Sequence, residues 1–104
     1  MAQKGTGKTL EKLKASVNDG KYYEAHQMYR TIARRYNKQQ KYDNSIKLLH
    51  DGALSLFQHN QFASGSDLAN YMVDTYILAN LPVDEKSLNR IIDLLELYPS
   101  TEIG

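Results

Sequence analysis

The sequence predicts an all-α fold, an antiparallel helical-repeat α-solenoid of about five helices similar in kind to TPR and HEAT arrays. Two observations support it: apolar residues recur at helical spacing, and the same pattern returns every twenty residues. In the segment from Tyr22 to Tyr36, apolar side chains stand three or four positions apart. That spacing places them on one face of a helix and does not fit a strand.

The repeat is clearest in the aromatic residues Tyr22, Tyr42 and Phe62, which are twenty residues apart and each follow a Lys or Gln. Twenty residues accommodate about sixteen helical residues and a short turn, so consecutive helices are expected to run antiparallel as neighbours. Further positions repeat in the same register: Met28, Leu48 and Leu68; Ala33, Ala53 and Val73; Tyr36, Leu56 and Tyr76.

Turn residues mark where the predicted helices end. Gly20 follows the first helix and tolerates the left-handed conformation common at helix C termini. Polar residues 37–41 and 59–61 are expected to connect the next helices. Pro82 disfavours helical geometry in the residue before it and so ends the fourth helix. Asp84 is placed to cap the fifth.

The third helix contains apolar residues around much of its circumference, among them Ile46, Leu49 and Phe57. A helix that is apolar on several faces is typical of one buried between neighbours. We therefore expect the third helix to lie at the centre of the array, and the first, with a narrower apolar stripe, to lie at one end.

The predicted domain organisation has three parts. Residues 1–9 are expected to form a flexible leader, residues 10–98 an N-terminal helical-repeat domain, and residues 99–104 a tail. Solenoids usually end in a polar capping repeat, and the apolar fifth helix does not provide one. We therefore expect the chain to be the front portion of a longer protein.

The composition limits the class of protein. The chain has no cysteine, which excludes disulfides and thiolate metal sites and suits a reducing compartment. No stretch has the apolar length of a signal peptide or a membrane span. A cytoplasmic location without direct membrane insertion is the expectation.

The sequence provides no constellation for catalysis. His26, His50 and His59 are not grouped with other ligands at zinc spacing. No serine lies in a Gly-x-Ser-x-Gly nucleophile elbow. We therefore predict a protein that is not an enzyme, with no catalytic residues, no metal and no cofactor.

Charge is distributed unevenly along the chain. Residues 1–41 contain ten Lys and Arg against three acids, whereas residues 42–104 contain three basic residues against nine acids. The first part is therefore strongly basic and the second strongly acidic, although the net charge is only +1. Such asymmetry steers encounters with charged partners.

A basic line on the second helix is the candidate binding site. Its members are three or four residues apart and lie opposite the apolar stripe. They are Tyr23, Gln27, Arg30, Arg34 and Lys38. The line is either an ordinary solvated face or a docking site for an acidic partner surface, whose charge would set association rate and specificity.

Nucleic acid is a weaker alternative. Tyrosines interleaved with basic residues can stack on bases and neutralise phosphates, but most of the eight tyrosines fall at core spacing. The acidic second half would also repel a long polyanion. We predict no nucleic-acid partner and keep a generic helical-repeat module for a peptide or RNA as the alternative function.

The run DGKYYEAHQMYRT, residues 19–31, closely resembles the Golgi to ER traffic protein four family. Residues 52–54, Gly-Ala-Leu, and residues 65–68, Gly-Ser-Asp-Leu, fall where that family has similar residues, and the resemblance extends over roughly residues 10–98. It implies an α-solenoid that acts as a cytosolic adaptor in tail-anchored membrane protein targeting.

The resemblance also implies partners. The N-terminal half of such a protein docks on the homodimeric targeting ATPase and regulates its nucleotide cycle, and a C-terminal half, absent here, holds a ubiquitin-like protein. By position, the ATPase-binding face maps to the first two helices, with a second, regulatory contact in the loop region around Lys38 and Asp67. Asp67 is expected to pair with a basic residue of the ATPase. Its alternative role is as the N-cap of the fourth helix.

Overall fold

The computed structural model describes residues 2–80 and 84–97, and all the regular structure in those segments is helical. The prediction of an all-α fold is therefore confirmed. The five helices are α1 (Ala2–Asn18), α2 (Tyr22–Lys38), α3 (Tyr42–Gln58), α4 (Phe62–Ala79) and α5 (Glu85–Leu97). Within the described residues, no helix combines the length and the apolar character needed to cross a membrane.

The first three connections are three-residue turns of the same conformation. Their central residues Gly20, Gln40 and Asn60 have φ angles of 79°, 60° and 63°. In each turn, the backbone N–H of the residue that follows donates to a carbonyl in the last turn of the preceding helix, as in a Schellman motif. These bonds are Lys21 to Ser16 at 2.8 Å, Lys41 to Tyr36 at 2.9 Å and Gln61 to Leu56 at 2.8 Å. The twenty-residue repeat is therefore present in the turns as well as in the apolar pattern.

The helices form two layers with α3 at the centre. α3 contacts α2, α4 and α5, and α2 also contacts α4. One layer therefore contains α2 and α4 side by side, and the other contains α3 and α5. Ile46, Leu49, Ala53 and Leu56 of α3 are at most 1% exposed. The prediction that the third helix lies between its neighbours is confirmed, because α3 contacts α2 and α4 in the other layer and α5 in its own.

Two glycines allow the helices around α3 to approach closely. A Cβ at Gly52 of α3 would lie 2.8 Å from the ring of Tyr29 and 2.9 Å from Leu68. A Cβ at Gly65 of α4 would lie 2.6 Å from the ring of Phe57. These separations are shorter than van der Waals contact, so each ring occupies the space that a larger residue would fill.

Asp84 caps α5, as its position in the sequence predicted. Its Oδ1 accepts hydrogen bonds from the backbone N–H of Ser87 at 2.9 Å and from the Ser87 hydroxyl at 3.0 Å. The first bond satisfies an amide that has no partner inside the helix. The predicted end of this helix at residue 98 and the tail at 99–104 lie outside the described residues.

Residues 1–9, expected to form a flexible leader, overlap the start of α1. Helical backbone begins at Ala2 and therefore includes most of residues 1–9. The segment combines Lys and Gln, which favour a helix, with Gly5 and Gly7, which weaken one, so its composition does not decide between a leader and a helix. Polarity by itself therefore does not mark the start of this helix.

Candidate partner-binding site

The exposed face of α2 lies opposite its buried stripe, as the spacing predicted. Ala25, Tyr29 and Ala33 are buried between the helices. Four of the five residues of the predicted line are exposed, and Tyr23 is 73% exposed. These four residues, here called the α2 face, are Tyr23, Gln27, Arg34 and Lys38.

The fifth member of the predicted line, Arg30, is not free. Its side chain is 33% exposed and is directed toward α4, where Nη1 donates a 2.7 Å hydrogen bond to Oδ2 of Asp67. The guanidinium carbon lies 4.8 Å from the centre of the Tyr71 ring. A charge-assisted hydrogen bond and a cation–π contact therefore hold Arg30 in one orientation.

His26 joins the same carboxylate from one helical turn earlier. Its Nε2 lies 2.6 Å from Oδ2 of Asp67, and its side chain is only 14% exposed, compared with 43% for Asp67. His26, Arg30, Asp67 and Tyr71 together form what we call the α2–α4 cluster. The cluster links two helices of one layer through a single oxygen atom.

Two opposing effects set the protonation of Asp67. Partial burial raises the pKa of its carboxyl group, but the hydrogen bonds from His26 and Arg30 and the charge of Arg30 outweigh burial and leave the pKa below its usual value of 3.8. Asp67 is therefore a carboxylate at neutral pH. Its negative charge offsets the positive charge that Arg30 brings to the boundary between the helices.

The structure does not bring Lys38 and Asp67 together in one loop. Asp67 lies inside α4, whose N-cap residue is Gln61, so the interpretation of Asp67 as an N-cap is wrong. The helix begins earlier because the turn before it ends at Gln61, in register with the two preceding turns. Lys38 is the last residue of α2, about 12 Å of helical rise beyond Arg30.

The C-terminal end of α2 concentrates the exposed positive charge. Arg34, Arg35 and Lys38 are exposed there, and Lys41 is exposed in the turn that follows. Basic residues in the last turn of a helix also interact favourably with the helix dipole. The arrangement suits an acidic surface that approaches this end of α2.

Sequence reasoning missed His26 and Tyr71 as members of the cluster. His26 is 41 residues from its partner Asp67, so no local spacing shows the pair. The repeat itself contains a signal, because residues two repeats apart lie on neighbouring parallel helices. Opposite charges at such a separation indicate a pair across the layer.

The described part of the chain offers an open surface and no metal-binding cluster. Its residues include no group of three His, Cys, Asp or Glu side chains that could hold a metal ion. The α2 face is instead an open surface with an exposed aromatic ring and basic groups, a composition that suits contact with another macromolecule.

The fold and the site define an α-helical-repeat protein, a class whose members present extended faces to partners. The family model for Golgi to ER traffic protein 4 matches residues 39–104. The Golgi to ER traffic protein 4 homolog of Gallus gallus is 40% identical over 89% of this chain and 30% of its own length. Protein GET4 of Arabidopsis thaliana is 33% identical over 90% of this chain and 29% of its own length.

A solved structure agrees with these relatives. The crystal structure of C. therm. Get4 superposes with a TM-score of 0.86 and 29% identity, covering 92% of this chain and 32% of the other. The chain belongs to the Golgi to ER traffic protein 4 family, as the run at residues 19–31 indicated. It spans about 30% of the length of the first of these relatives.

Proposed function

We propose that this chain is the N-terminal part of an adaptor that docks on the tail-anchored protein targeting ATPase. In this role it regulates the ATPase's nucleotide cycle during post-translational delivery of membrane proteins to the ER. Membership of the Golgi to ER traffic protein 4 family supports the pathway. The observation that carries the docking site is the exposed α2 face.

The α2 face has the features of an electrostatic docking site. Tyr23 provides an exposed aromatic ring at one end, and Arg34 and Lys38 provide positive charge toward the other. Aromatic residues and arginine are enriched at protein interfaces, and exposed charges accelerate association with an oppositely charged surface. We therefore propose that the α2 face binds an acidic patch on the ATPase.

Asp67 has a second role in this proposal. Both of its hydrogen bonds use Oδ2, and the side chain remains 43% exposed. A basic group of the ATPase can therefore approach the carboxylate from solvent while the α2–α4 cluster stays intact. That contact is the proposed regulatory one, separate from docking through Arg34 and Lys38.

Calorimetric titration of the chain with the purified targeting ATPase tests docking. The parent is expected to bind, and Lys38→Glu and Arg34→Glu are each expected to weaken binding by about tenfold or more. Lys47→Glu is the matched control, because Lys47 is exposed on α3, outside the α2 face. Circular dichroism should show unchanged helix content in all three variants.

Salt and a second variant separate the proposed contacts. Binding through the α2 face should weaken as salt is added, because exposed charges are screened. Asp67→Asn, which removes the charge but keeps the size and an acceptor oxygen for Arg30, should leave docking largely in place and abolish the effect of the chain on ATP hydrolysis. Absence of binding by the parent would exclude the proposal, and binding to single-stranded RNA instead would favour the generic-module alternative. The ubiquitin-like protein is assigned to the C-terminal half and should not bind this chain.

A further inference from the structure

A second histidine, His50 of α3, lies between two carboxylates from different helices. Its side chain is 13% exposed. Nδ1 is 3.7 Å from Oδ1 of Asp51 on α3, and Nε2 is 3.6 Å from Oδ2 of Asp93 on α5. The pair His50–Asp93 therefore spans the contact between α3 and α5, away from the α2 face.

One ring nitrogen of His50 lacks a hydrogen-bond partner. Nε2 is buried and has no hydrogen-bond partner among the described residues. Leaving a buried polar atom unpaired is costly, and 3.6 Å is longer than a normal hydrogen bond. A protonated imidazole presents an N–H donor at both nitrogens. Each donor would then have a carboxylate oxygen within 3.7 Å.

Charged and polar groups from each neighbouring helix surround His50. Asp51 contributes one negative charge from α3 and Asp93 another from α5. On the α2 side, Tyr29 faces Asp51, and burial together with that charge raises the pKa of Tyr29 to about 12, so the phenol is neutral. On the α4 side, Tyr76 accepts a 2.8 Å hydrogen bond from Arg90 of α5, which holds that cation at another contact.

The packing beneath α5 leaves space for a small movement. A pocket of about 190 Å³, open to solvent, lies between α4 and α5 and borders Phe57 of α3. Phe57 and Met72 line it from α3 and α4, and Ile91 and Leu94 line it from α5. Shortening the His50–Asp93 separation to a hydrogen bond requires a shift of under about 1 Å. An incompletely filled interface can absorb such a shift.

We propose that His50 is a pH-sensitive clasp between α3 and α5. Uptake of a proton lets the imidazolium pair with Asp93 across the helix boundary and with Asp51 beside it, which holds α5 more firmly against α3. Loss of the proton releases the clasp. Imidazole is the side chain whose charge ordinarily changes between pH 5 and 8, so this is the pH range in which the clasp is tested.

Native-state hydrogen exchange of the α5 amides tests the clasp. Exchange is measured at about pH 5.5 and pH 8, where aspartates stay ionised but histidine changes charge, and is corrected for the intrinsic effect of pH. In the parent, protection of the α5 amides should be at least about threefold greater at the lower pH. Asp93→Asn should remove that difference.

Further variants serve as controls for the pH difference in α5 protection. Asp74→Asn, the same chemical change on the exposed face of α4, should retain the pH difference. His50→Gln should remove it, and Asp93→Asn, an exposed site, gives the same information if the buried variant fails to fold. A parent without the difference, or an Asp93→Asn variant that retains it, overturns the proposal. Loss in Asp51→Asn with retention in Asp93→Asn also overturns it, because the pair would then lie within α3.

Discussion

Arg30 of α2 and Asp67 of α4 are joined by a 2.7 Å hydrogen bond between Nη1 and Oδ2, although 37 residues separate them. The bond links the helix that carries the proposed docking face to the next helix in its layer. Because Tyr23, Gln27, Arg34 and Lys38 lie on that same helix, their position relative to the rest of the solenoid depends partly on α4. The bond therefore has both a structural and a functional consequence.

Replacing Asp67 should destabilise the fold modestly. Asp67→Asn removes the charge that Arg30 and His26 share, and because the carboxylate is 43% exposed the expected loss at neutral pH is only ~0.5–1 kcal/mol. Urea unfolding followed by circular dichroism measures it. Asp74→Asn, at an exposed position of the same helix, should change the free energy of unfolding less.

The same variant should alter the response to acid. The pKa of Asp67 is lower in the folded chain than its usual 3.8, so its stabilising contribution is present above about pH 4 and is lost as pH falls through the folded value. Lowering the pH from 7 to about 3 should therefore reduce the free energy of unfolding more in the parent than in Asp67→Asn. Urea unfolding at both pH values measures the two losses. Equal losses would contradict the assignment.

Alkaline pH should destabilise the chain through Tyr29. Burial, together with the charge of Asp51, raises the pKa of Tyr29 from 10.0 to about 12. Its contribution is intact below pH 10 and declines as pH rises toward 12, because the unfolded chain ionises first. The full effect is ~2–3 kcal/mol. Tyr29→Phe should lose less stability between these pH values than the parent, whereas Tyr23→Phe, at an exposed site, should behave like the parent.

The two packed glycines should not tolerate alanine. Gly→Ala in a helix normally stabilises by about 1 kcal/mol, but a Cβ at Gly52 or Gly65 would meet an aromatic ring at under 3 Å. Each substitution is therefore expected to destabilise by ~1–3 kcal/mol. Asn70→Ala, at an exposed position of α4, serves as the control. Combining Gly65→Ala with Phe57→Leu should cost less than the sum of the two single changes, since the ring is the obstacle.

Glycine in the turn between α2 and α3 should stabilise the fold. Gln40 adopts a φ of 60°, a conformation that costs a residue with a side chain about 1 kcal/mol and glycine little. Gln40→Gly is therefore expected to raise the free energy of unfolding by ~0.5–1 kcal/mol. Gly20→Ala, at the equivalent turn with a φ of 79°, should lower it by a similar amount. Thermal unfolding should give a higher midpoint temperature than the parent for Gln40→Gly and a lower one for Gly20→Ala.

Sequence reasoning located the helices well because their determinants are local. The spacing of apolar residues and the capping residue Asp84 each act within a few positions of the helix end that they define. The leader at residues 1–9 stays a prediction, although helical backbone begins at Ala2. The turn at Gln40 also shows that register can be kept without glycine at the left-handed position.

The candidate site was predicted only in part. The line on α2 follows from helical periodicity, and four of its members are exposed as expected. Arg30 differs because its surroundings come from α4, and no pattern within α2 reveals how the two helices are rotated against each other. Asp67 was singled out by resemblance, but its internal partners depend on tertiary contacts that span 37 and 41 residues.

Because the turns have the same conformation and spacing, a residue's number tells which position it occupies on its helix. Positions forty apart occupy equivalent places on α2 and α4, so Arg34 corresponds to Asp74 and Gln27 to Asp67. Across the layer the charge changes from positive at Arg34 to negative at Asp74, and from neutral at Gln27 to negative at Asp67. A ligand that lies along α2 would therefore need a different charge pattern from one that lies across α2 and α4. A single residue inserted in one of these turns would shift all later residues and end the correspondence between positions forty apart.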